Sequence, residues 1–391
     1  MPDGTRLTIA MFAGGVATFA NLYAIQAVLP GMSRDLALSE SQASLAISVA
    51  TGALAVTVLP WAAIADRFGR ARTMVVAVVI AALSGLVVPF APDLPTLLVA
   101  RGISGAALAA VPALAMAHLV ALARPGRATA AGGVYIAGTS LGGLSGRLLA
   151  GTAAGVIGGE NGWRWGLAAT GVAVVVLAVI FAVMLPHETA ARPSAAPGAP
   201  GHLSIAVAEP AARVLYVAGF LLMGAFVTVY NLLSYRLLAD PYRVPASVVS
   251  LLFLTYLVGT AGSSLVGRLT GRSGRRVVVA AGAAIMAAGL LVLAARPLVL
   301  VLVGLVMATF GFFVAHAVAA GWVGILVPGA RSQATAMYAL LYYLGSAIIG
   351  YAGAVVYTAT NWAGVTVLVT ACALAAAAAV WRWTPRAVAV R

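Results

Sequence analysis

The chain has 391 residues, of which 63% are hydrophobic and only 8% are charged. A soluble domain has about 25% charged residues, so this composition excludes a water-soluble fold and is typical of a protein that lies in lipid. The net charge of +14 comes from arginine alone, clustered in short connectors between apolar runs, which argues against nucleic-acid binding.

Twelve apolar runs are long enough to cross the membrane, because about 20 apolar residues span the hydrocarbon core. The first run is longer than the apolar region of a signal peptide, and more runs follow it. It is therefore interpreted as a retained first helix. The ninth run is separated from the tenth by little more than Arg296 and Pro297. The predicted helices of the first half cover 8–30, 41–64, 73–91, 96–120, 128–151 and 164–185. Those of the second half cover 214–238, 246–269, 277–295, 297–325, 332–357 and 362–383.

A polar segment rich in proline and glycine lies between the sixth and seventh runs, from Pro186 to Pro210. Such a composition is typical of a linker rather than of a helix in lipid. It divides the chain into an N-terminal six-helix bundle at 1–186, a cytoplasmic linker at 187–212 and a C-terminal six-helix bundle at 213–391.

The arginines are distributed unequally between alternate connectors. If the N-terminus is inside, 16 of the 23 lie in cytoplasmic segments and 5 lie outside, while Arg101 and Arg147 fall within predicted spans. Positive charge is concentrated on the cytoplasmic side of membrane proteins. The sequence therefore predicts a multi-pass inner-membrane protein whose two termini and long linker face the cytoplasm.

Two segments of the chain repeat each other 205 positions apart. The first, at 62–70, reads A-A-I-A-D-R-F-G-R and follows the second apolar run, while the second, at 267–276, reads G-R-L-T-G-R-S-G-R-R and follows the eighth. Arg127 before the fifth run and Arg331 before the eleventh are 204 positions apart. Because these landmarks share nearly one offset, the two halves are predicted to be parallel repeats of six helices.

These segments resemble the loop motif G-x-x-x-D-R-x-G-R-R/K of the major facilitator superfamily, and the resemblance covers essentially the whole chain. It implies an all-α membrane protein with about twelve transmembrane helices in two pseudo-symmetric six-helix bundles. Ala62 and Ala71 depart from the motif in the first copy, and Gly271 replaces its acid in the second. The matching residues are Asp66, Arg67, Gly69, Arg70, Gly267, Arg272, Gly274, Arg275 and Arg276.

In the family this motif acts as a conformational latch, and the resemblance implies the same role for the matching residues. Gly69 permits a tight turn at the membrane surface. Asp66 ends the second predicted helix close to arginines that can form a charge-assisted pair with it. In the family this carboxylate also faces the positive end of the eleventh helix. The alternative is that the motif only sets the topology.

Two arginines fall inside predicted spans, where a charge is retained only if a cavity or a partner compensates it. Arg101 in the fourth run resembles the family's buried arginine of helix four, which is associated with proton coupling in antiporters. The alternative is that Arg101 extends outward to the headgroups, because Thr96 is only five residues away. Arg147 in the fifth run either binds an anionic part of the substrate or pairs with a backbone carbonyl.

The fifth run also resembles the family's antiporter motif, G-x-x-x-G-P-x-x-G-G. Gly138, Gly142 and Gly146 match it, whereas Gly143 and Arg147 replace its proline and its last glycine. Glycines four apart let two helix backbones approach closely, which suits a sliding contact between the halves. This partial match favours antiport.

Polar side chains interrupt the first and seventh runs at similar depths. In this superfamily helices one, four, seven and ten line a central cavity, where such groups would orient a solute. Alternatively, they only form hydrogen bonds between helices. Tyr23 and Gln26 are three residues apart and share a helix face. The predicted substrate-binding residues are Asn21, Tyr23, Gln26, Arg147, Tyr230, Asn231 and Tyr342.

Titratable groups inside the predicted spans are few. His316 lies deep in the tenth run and is a coupling candidate beside Arg101, because a histidine titrates near physiological pH. A structural role is the alternative for His316, and it is favoured for His118. No spacing of cysteine and histidine indicates a metal, and no cofactor is expected. None of the 9 acids falls in the middle of a predicted span, which favours a neutral or anionic solute over a lipophilic cation.

The sequence therefore predicts secondary active transport of a small organic solute by alternating access. The leading hypothesis is a proton-coupled exporter resembling the drug and sugar efflux branch, and the alternative is uptake by symport or facilitated exchange. An intramembrane enzyme is disfavoured, because it would need a positioned nucleophile, base or metal. A channel is disfavoured, because it would not need a latch motif in each half. The expected partners are the solute, protons and membrane lipid, and the protein is expected to act as a monomer.

Overall fold

The computed structural model describes residues 3–123, 128–186 and 202–386, and every regular element in these ranges is helical. Ten described segments are long and apolar enough to cross a membrane. The last of them, Pro328–Trp383, contains two spans, because Asn361 has a φ of 55° that interrupts the helix. One further helix of 30 residues completes the twelve spans. The all-helical membrane fold expected from the sequence is confirmed.

Sixteen α-helical segments follow one another in the described residues, and Asn361 divides the last of them into two helices. In the first half they are α1 (Asp3–Tyr23), α2 (Leu29–Asp35), α3 (Glu40–Phe68), α4 (Arg70–Val87), α5 (Leu94–Leu108), α6 (Ala110–Leu122), α7 (Ala128–Ile157) and α8 (Gly162–Met184). In the second half they are α9 (His202–Ala208), α10 (Pro210–Leu238), α11 (Ala246–Val249), α12 (Thr255–Ser264), α13 (Val266–Ser273), α14 (Arg275–Leu293), α15 (Leu298–Leu326) and α16 (Arg331–Trp383). Short 3₁₀ segments lie at Ala24–Val28, Val88–Phe90, Ser250–Leu254 and Pro328–Ala330.

The helices form two compact units with similar internal packing. Of the described residues, one unit holds 3–123, 128–186 and 244–253, and the other holds 202–243 and 254–386. In the first unit α1 packs against α7 and α3 against α5, and in the second α10 packs against α16 and α12 against α15. Helices that correspond in the sequence repeat therefore form corresponding pairs in each unit.

The segment 244–253 packs within the first unit, whereas the sequence placed it in the C-terminal bundle. Two glycines of α7 make room for this segment. A Cβ atom at Gly151 would lie 2.5 Å from Ser250 Cβ, and one at Gly155 would lie 2.7 Å from the Ser247 nitrogen. Any side chain at these two positions would displace the segment, so the glycines are what let it approach α7.

Side-chain caps begin several of the described spanning segments, among them α3 and α5. The Ser39 hydroxyl accepts a hydrogen bond from the Gln42 N–H at 3.2 Å, and the Ser39 N–H donates to Gln42 Oε1 at 2.9 Å, which forms a capping box before α3. Before α5, the Asp93 carboxylate accepts the Thr96 N–H at 2.9 Å, and this bond holds the pKa of Asp93 below its usual value. The caps satisfy N–H groups that have no partner inside the helix.

The first span is not one continuous α-helix. α1 ends at Tyr23, a 3₁₀ segment follows over Ala24–Val28, and α2 has Pro30 in its first turn. Pro30 has no N–H group and cannot continue the α-helical hydrogen bonds through this point. Main-chain carbonyls near the break therefore need donors from other residues, because no water is available inside the membrane to donate to them.

Candidate functional site

Arg101 on α5 is buried beside the break in the first span, with 2% of its surface exposed. Its Nη1 donates to the Asn21 carbonyl at 3.2 Å and its Nη2 to the Leu22 carbonyl at 2.7 Å. Its Nε donates to the Ala46 carbonyl of α3 at 2.9 Å. One guanidinium thus joins three helices through main-chain acceptors, and the alternative in which Arg101 extends to the headgroups is wrong.

Gly105 on α5 explains why α3 comes close enough for this arrangement. A Cβ atom at Gly105 would lie 2.1 Å from the Ala50 carbonyl oxygen of α3, a distance that no real side chain could occupy. The close approach brings the Ala46 carbonyl, one turn away on α3, within reach of Arg101. The position of Arg101 therefore depends on a small residue of its own helix.

Asn21 has other neighbours than Tyr23 and Gln26. Its Nδ2 donates to the Ala81 carbonyl at 2.8 Å, and its Oδ1 accepts a hydrogen bond from Ser104 at 3.2 Å. Asn21 also lines a cavity of about 20 Å³, which is enough for a single water molecule. These contacts join helices within the first unit, which is the alternative considered for the polar residues of the first span.

Arg147 on α7 is 1% exposed and has a different set of neighbours. Its Nε donates to Gln26 Oε1 at 2.7 Å, and its Nη1 donates to the Gly143 carbonyl. Its guanidinium carbon lies 4.4 Å from the ring centroid of Tyr23 and 5.2 Å from that of Phe253. We call Tyr23, Gln26, Arg147 and Phe253 the Arg147 site. The structure thus brings together three of the predicted substrate-binding residues.

The Arg147 site combines two kinds of chemistry. A guanidinium presents planar N–H groups that match the two oxygens of a carboxylate or phosphate, and aromatic faces stabilise its charge. The Gln26 amide offers both a donor and an acceptor. Phe253 was missed by the sequence prediction, since it is one of many apolar residues in the eighth run and no spacing distinguishes it.

The glycines of the antiporter-like motif face α1 within the first unit. A Cβ atom at Gly138, Gly142 or Gly146 would lie 2.7, 2.4 or 2.6 Å from a backbone atom of α1. The sliding contact between the halves that the motif suggested is therefore not the contact that these glycines make. Their close approach instead sets the next residue, Arg147, beside the first span.

Tyr230 on α10 lies between two threonines of the second unit. Its hydroxyl is 2.6 Å from Thr255 Oγ1 and 2.7 Å from Thr309 Oγ1, so it joins α10 to α12 and α15. The next residue, Asn231, is fully buried. The contacts of Tyr230 are those of a residue that connects helices, which is the second interpretation offered by the sequence.

Aromatic rings form a continuous cluster in the second unit. Phe226 stacks on Phe312 with ring centroids 4.0 Å apart, and Phe312 stacks on His316 at 5.7 Å. The His316 ring is 4.5 Å from the Tyr342 ring, and its Nδ1 is 2.9 Å from the Tyr338 hydroxyl. We call these five side chains the aromatic cluster. The two phenylalanines were missed, although Phe312 and His316 are four residues apart and share a helix face.

The first copy of the loop motif does not form the expected ion pair. Asp66 is exposed, and no ion pair joins it to another residue in the part of the chain that the structure describes. Arg67 instead lies over the Phe68 ring, 5.5 Å from its centroid. Arg70 begins α4. The role of these residues as a latch stays a prediction.

The second copy of the motif has the same backbone form as the first. Gly69 has a φ of 85° and Gly274 has a φ of 80°, a region that favours glycine, and each separates two helices. Gly267 and Arg272 lie on exposed parts of α13, and Arg275 begins α14. The repeat found in the sequence is therefore also a repeat of local structure.

A polar cluster at the end of α2 was not expected from the sequence. Asp35 Oδ2 accepts hydrogen bonds from Trp163 Nε1 at 2.9 Å and from Arg164 Nη2 at 2.8 Å. Arg164 Nη1 also donates to the carbonyls of Pro89 and Ala91 at 2.8 and 2.9 Å. Its only sequence signal is an acid and an arginine near span ends, which many connectors share.

The chain matches the sequence family described as the Major Facilitator Superfamily over residues 11–235 and 215–391. It is 39% identical to the inner membrane transport protein YnfM of Escherichia coli (strain K12), over 93% of this chain and 87% of that protein. It is 32% identical to the uncharacterized MFS-type transporter YybF of Bacillus subtilis (strain 168), over 94% of this chain and 91% of that protein. Its fold is similar to the crystal structure of a D-xylose–proton symporter, with a TM-score of 0.79 and 14% identity over 98% of each chain.

The chain therefore belongs to the Major Facilitator Superfamily. This confirms the family resemblance that the loop motifs indicated, together with the predicted fold class. The protein is a multi-pass membrane protein and belongs to a superfamily of transporters, as the relatives named above do. The likeness to the symporter structure shows the fold alone, because the two sequences share only 14% identity.

Proposed function

We propose that the protein exports a small anionic or neutral organic solute across the inner membrane in exchange for protons, by alternating access. The observation that carries this proposal is the Arg147 site, where a buried guanidinium lies between two aromatic rings and beside an amide. The guanidinium suits a carboxylate or phosphate of the solute, and the rings suit an adjoining apolar part.

The distribution of charge supports an anionic or neutral solute over a cationic one. Among the described residues, no aspartate or glutamate lies in the middle of a spanning helix, whereas Arg101 and Arg147 are both buried. A cation would meet no opposite charge at that depth, and unpaired charge in the membrane interior is costly. An anionic group would compensate Arg147 as it bound.

Phe253 lies beside Arg147, with its ring centroid 5.2 Å from the guanidinium carbon, and Arg147 is 1% exposed. We infer that a solute reaches the guanidinium only after neighbouring side chains such as Phe253 move. Phe253 belongs to the segment 244–253, and a 3₁₀ stretch at Ser250–Leu254 separates α11 from α12 there. A 3₁₀ stretch within a helix often marks a hinge. We propose that bending at this stretch uncovers the Arg147 site during transport.

For proton coupling we propose His316, whose Nδ1 lies 2.9 Å from the Tyr338 hydroxyl. An imidazole can take up and release a proton under physiological conditions, and a hydroxyl can be its hydrogen-bond partner in either state because it both donates and accepts. Arg101 is the second coupling candidate. It would act through the break in the first span, whose carbonyls it holds.

We further propose that both termini face the cytoplasm and that the protein acts as a monomer. The excess of arginine in alternate connectors supports the orientation, and similarity to the inner membrane protein YnfM supports the location. We propose that the two loop motifs around Gly69 and Gly274 act as latches between transport states.

Reconstitution into proteoliposomes tests this function. With an imposed pH gradient, we expect the protein to accumulate an aromatic carboxylate against its gradient and to move protons in the opposite direction. His316→Gln should lose this accumulation but keep counterflow, since counterflow needs no proton. Co-transport of solute and protons in the same direction would instead identify uptake by symport. Accumulation of lipophilic cations in preference to anions would contradict the proposed solute class.

A further inference from the structure

A second concave site lies at the turn between α13 and α14. The cavity there has a volume of about 310 Å³, which is within the range of small-ligand pockets. Its lining belongs entirely to the second unit, and it shares no residue with the Arg147 site or the aromatic cluster. The residues of its lining that carry polar side chains are Thr270, Arg275, Arg276, Trp322 and Arg386.

The described lining of the cavity carries positive charge. Three arginines line it, and none of the described lining residues is acidic. Asp66 stands three positions before Gly69 in the first loop motif, whereas Gly271 stands three positions before Gly274 in the second. A Cβ atom at Gly271 would meet no other atom within 4 Å. Open space therefore lies where the first copy of the motif has a carboxylate.

Several hydrogen-bond donors at this cavity have no acceptor among the residues that the structure describes. Trp322 is 2% exposed, and its Nε1 has no hydrogen-bond partner among the described residues. Arg276 Nε also has no hydrogen-bond partner among the described residues, while Nη2 of the same side chain donates to the Trp381 carbonyl. α14 begins after Gly274, which has no side chain that could cap the first N–H groups of the helix. Buried donors in native proteins are nearly always paired, so these indicate a missing acceptor.

We propose that this cavity binds an oxyanion of the phosphate class, either free phosphate or the phosphodiester headgroup of an anionic lipid. Guanidinium groups, an indole N–H and a helix N-terminus all donate to such a group. The expected cytoplasmic position of the α13–α14 turn sets it at the level of the lipid headgroups. This cavity is separate from the Arg147 site proposed for the transported solute, and phosphate binding there does not depend on the proposed direction of transport.

Binding to the purified full-length protein tests this site with two probes. In phosphatidylcholine nanodiscs, isothermal titration measures the affinity for inorganic phosphate. In detergent, native mass spectrometry compares retention of phosphatidylglycerol with that of phosphatidylcholine. Gly271→Asp supplies the missing carboxylate in open space, and Trp322→Phe removes the indole N–H but keeps a ring. Arg268→Gln is the control, because it removes one positive charge from an exposed position of α13 outside the cavity.

We expect Trp322→Phe to weaken binding by about tenfold, which is typical of a lost hydrogen bond to a charged group. Gly271→Asp should weaken binding by about tenfold or more, because its carboxylate repels an anion and competes for the arginines. Arg268→Gln should stay within about twofold of the wild type, because an exposed charge contributes little. Binding of phosphate in this pattern identifies free phosphate as a ligand. Selective retention of phosphatidylglycerol in this pattern, without phosphate binding, identifies the lipid headgroup. Failure of the wild type to bind either probe, or equal binding by the wild type and both cavity variants, would overturn the proposal.

Discussion

Arg101 and Arg147 are both buried in the first unit, but the structure holds them by different kinds of acceptor. Arg101 donates to main-chain carbonyls of α1 and α3. Arg147 donates to the side-chain amide of Gln26 and to a carbonyl of its own helix, between two aromatic rings. A main-chain carbonyl moves only with its helix, whereas an amide or a ring can rotate to admit a ligand. Burial of an arginine therefore does not identify a binding site, and the type of acceptor is more informative.

The largest expected effect is the loss of stability in Arg101→Ala. This change removes one donor from each of three main-chain carbonyls. Those of Asn21 and Leu22 lie beside the break in the first span, where a buried acceptor left without a partner costs about 1–3 kcal/mol. Thermal unfolding in detergent should therefore show a lower Tm for Arg101→Ala than for Arg147→Ala. If Arg147→Ala lowered the Tm by as much as Arg101→Ala or by more, the proposed structural role of Arg101 alone would be contradicted.

The next effect in size concerns the contact that positions Arg147. In Gly142→Ala, the new Cβ would lie 2.4 Å from the Val16 carbonyl oxygen and would push α7 away from α1. Transport should fall by about tenfold or more, because a shift of about 1 Å at a site can cost a hundredfold. Gly133→Ala on the same helix is the control, since its Cβ would meet no atom within 4 Å. Equal transport rates in the two variants would contradict this packing.

A smaller effect is expected when one aromatic face of the Arg147 site is removed. A cation–π contact contributes about 0.5–2 kcal/mol, so Tyr23→Leu should weaken binding of an anionic solute by about 2- to 30-fold. Tyr23→Phe keeps the ring and should bind nearly as the wild type does. Equilibrium binding to the purified protein measures both. If Tyr23→Phe loses as much affinity as Tyr23→Leu, the hydroxyl rather than the ring is what matters.

The smallest effect on stability is expected for Asp66→Asn. The Asp66 side chain is exposed, whereas those of Arg101 and Arg147 are buried. Such a substitution should change the free energy of unfolding by less than about 0.5 kcal/mol. The latch hypothesis nevertheless predicts a several-fold slower flux, because the carboxylate would be needed in one of the transport states. Flux into proteoliposomes, compared at equal protein content, measures this. A wild-type rate would rule out the latch role of Asp66.

The overall fold could be predicted because the bilayer fixes the length and polarity of each span. Two sets of six helices could be predicted from three features: apolar runs of about 20 residues, one polar linker and a repeated loop motif. Tyr23 and Gln26 were also predicted to share a face, because three positions along a helix return nearly to the same side. These two side chains do lie together, beside Arg147.

The side-chain partners could not be predicted, because they depend on how distant helices pack. Asn21 was grouped with Tyr23, but two positions along a helix turn a side chain by roughly 200°, and Asn21 bonds to other helices. Phe253 reaches Arg147 only because the segment 244–253 packs within the first unit. Asp35 and Arg164 are far apart in the sequence, and no local pattern relates them.

The central claim is that Arg147 binds the anionic part of the solute while Arg101 holds the first span together. It is tested most directly by the affinity of purified Arg147→Ala and Arg147→Lys for an aromatic carboxylate and for its uncharged amide. We predict that Arg147→Ala loses carboxylate binding, that Arg147→Lys keeps part of it because the charge remains without the planar fork, and that binding of the amide changes less. Carboxylate binding by Arg147→Ala at the wild-type affinity would contradict the account.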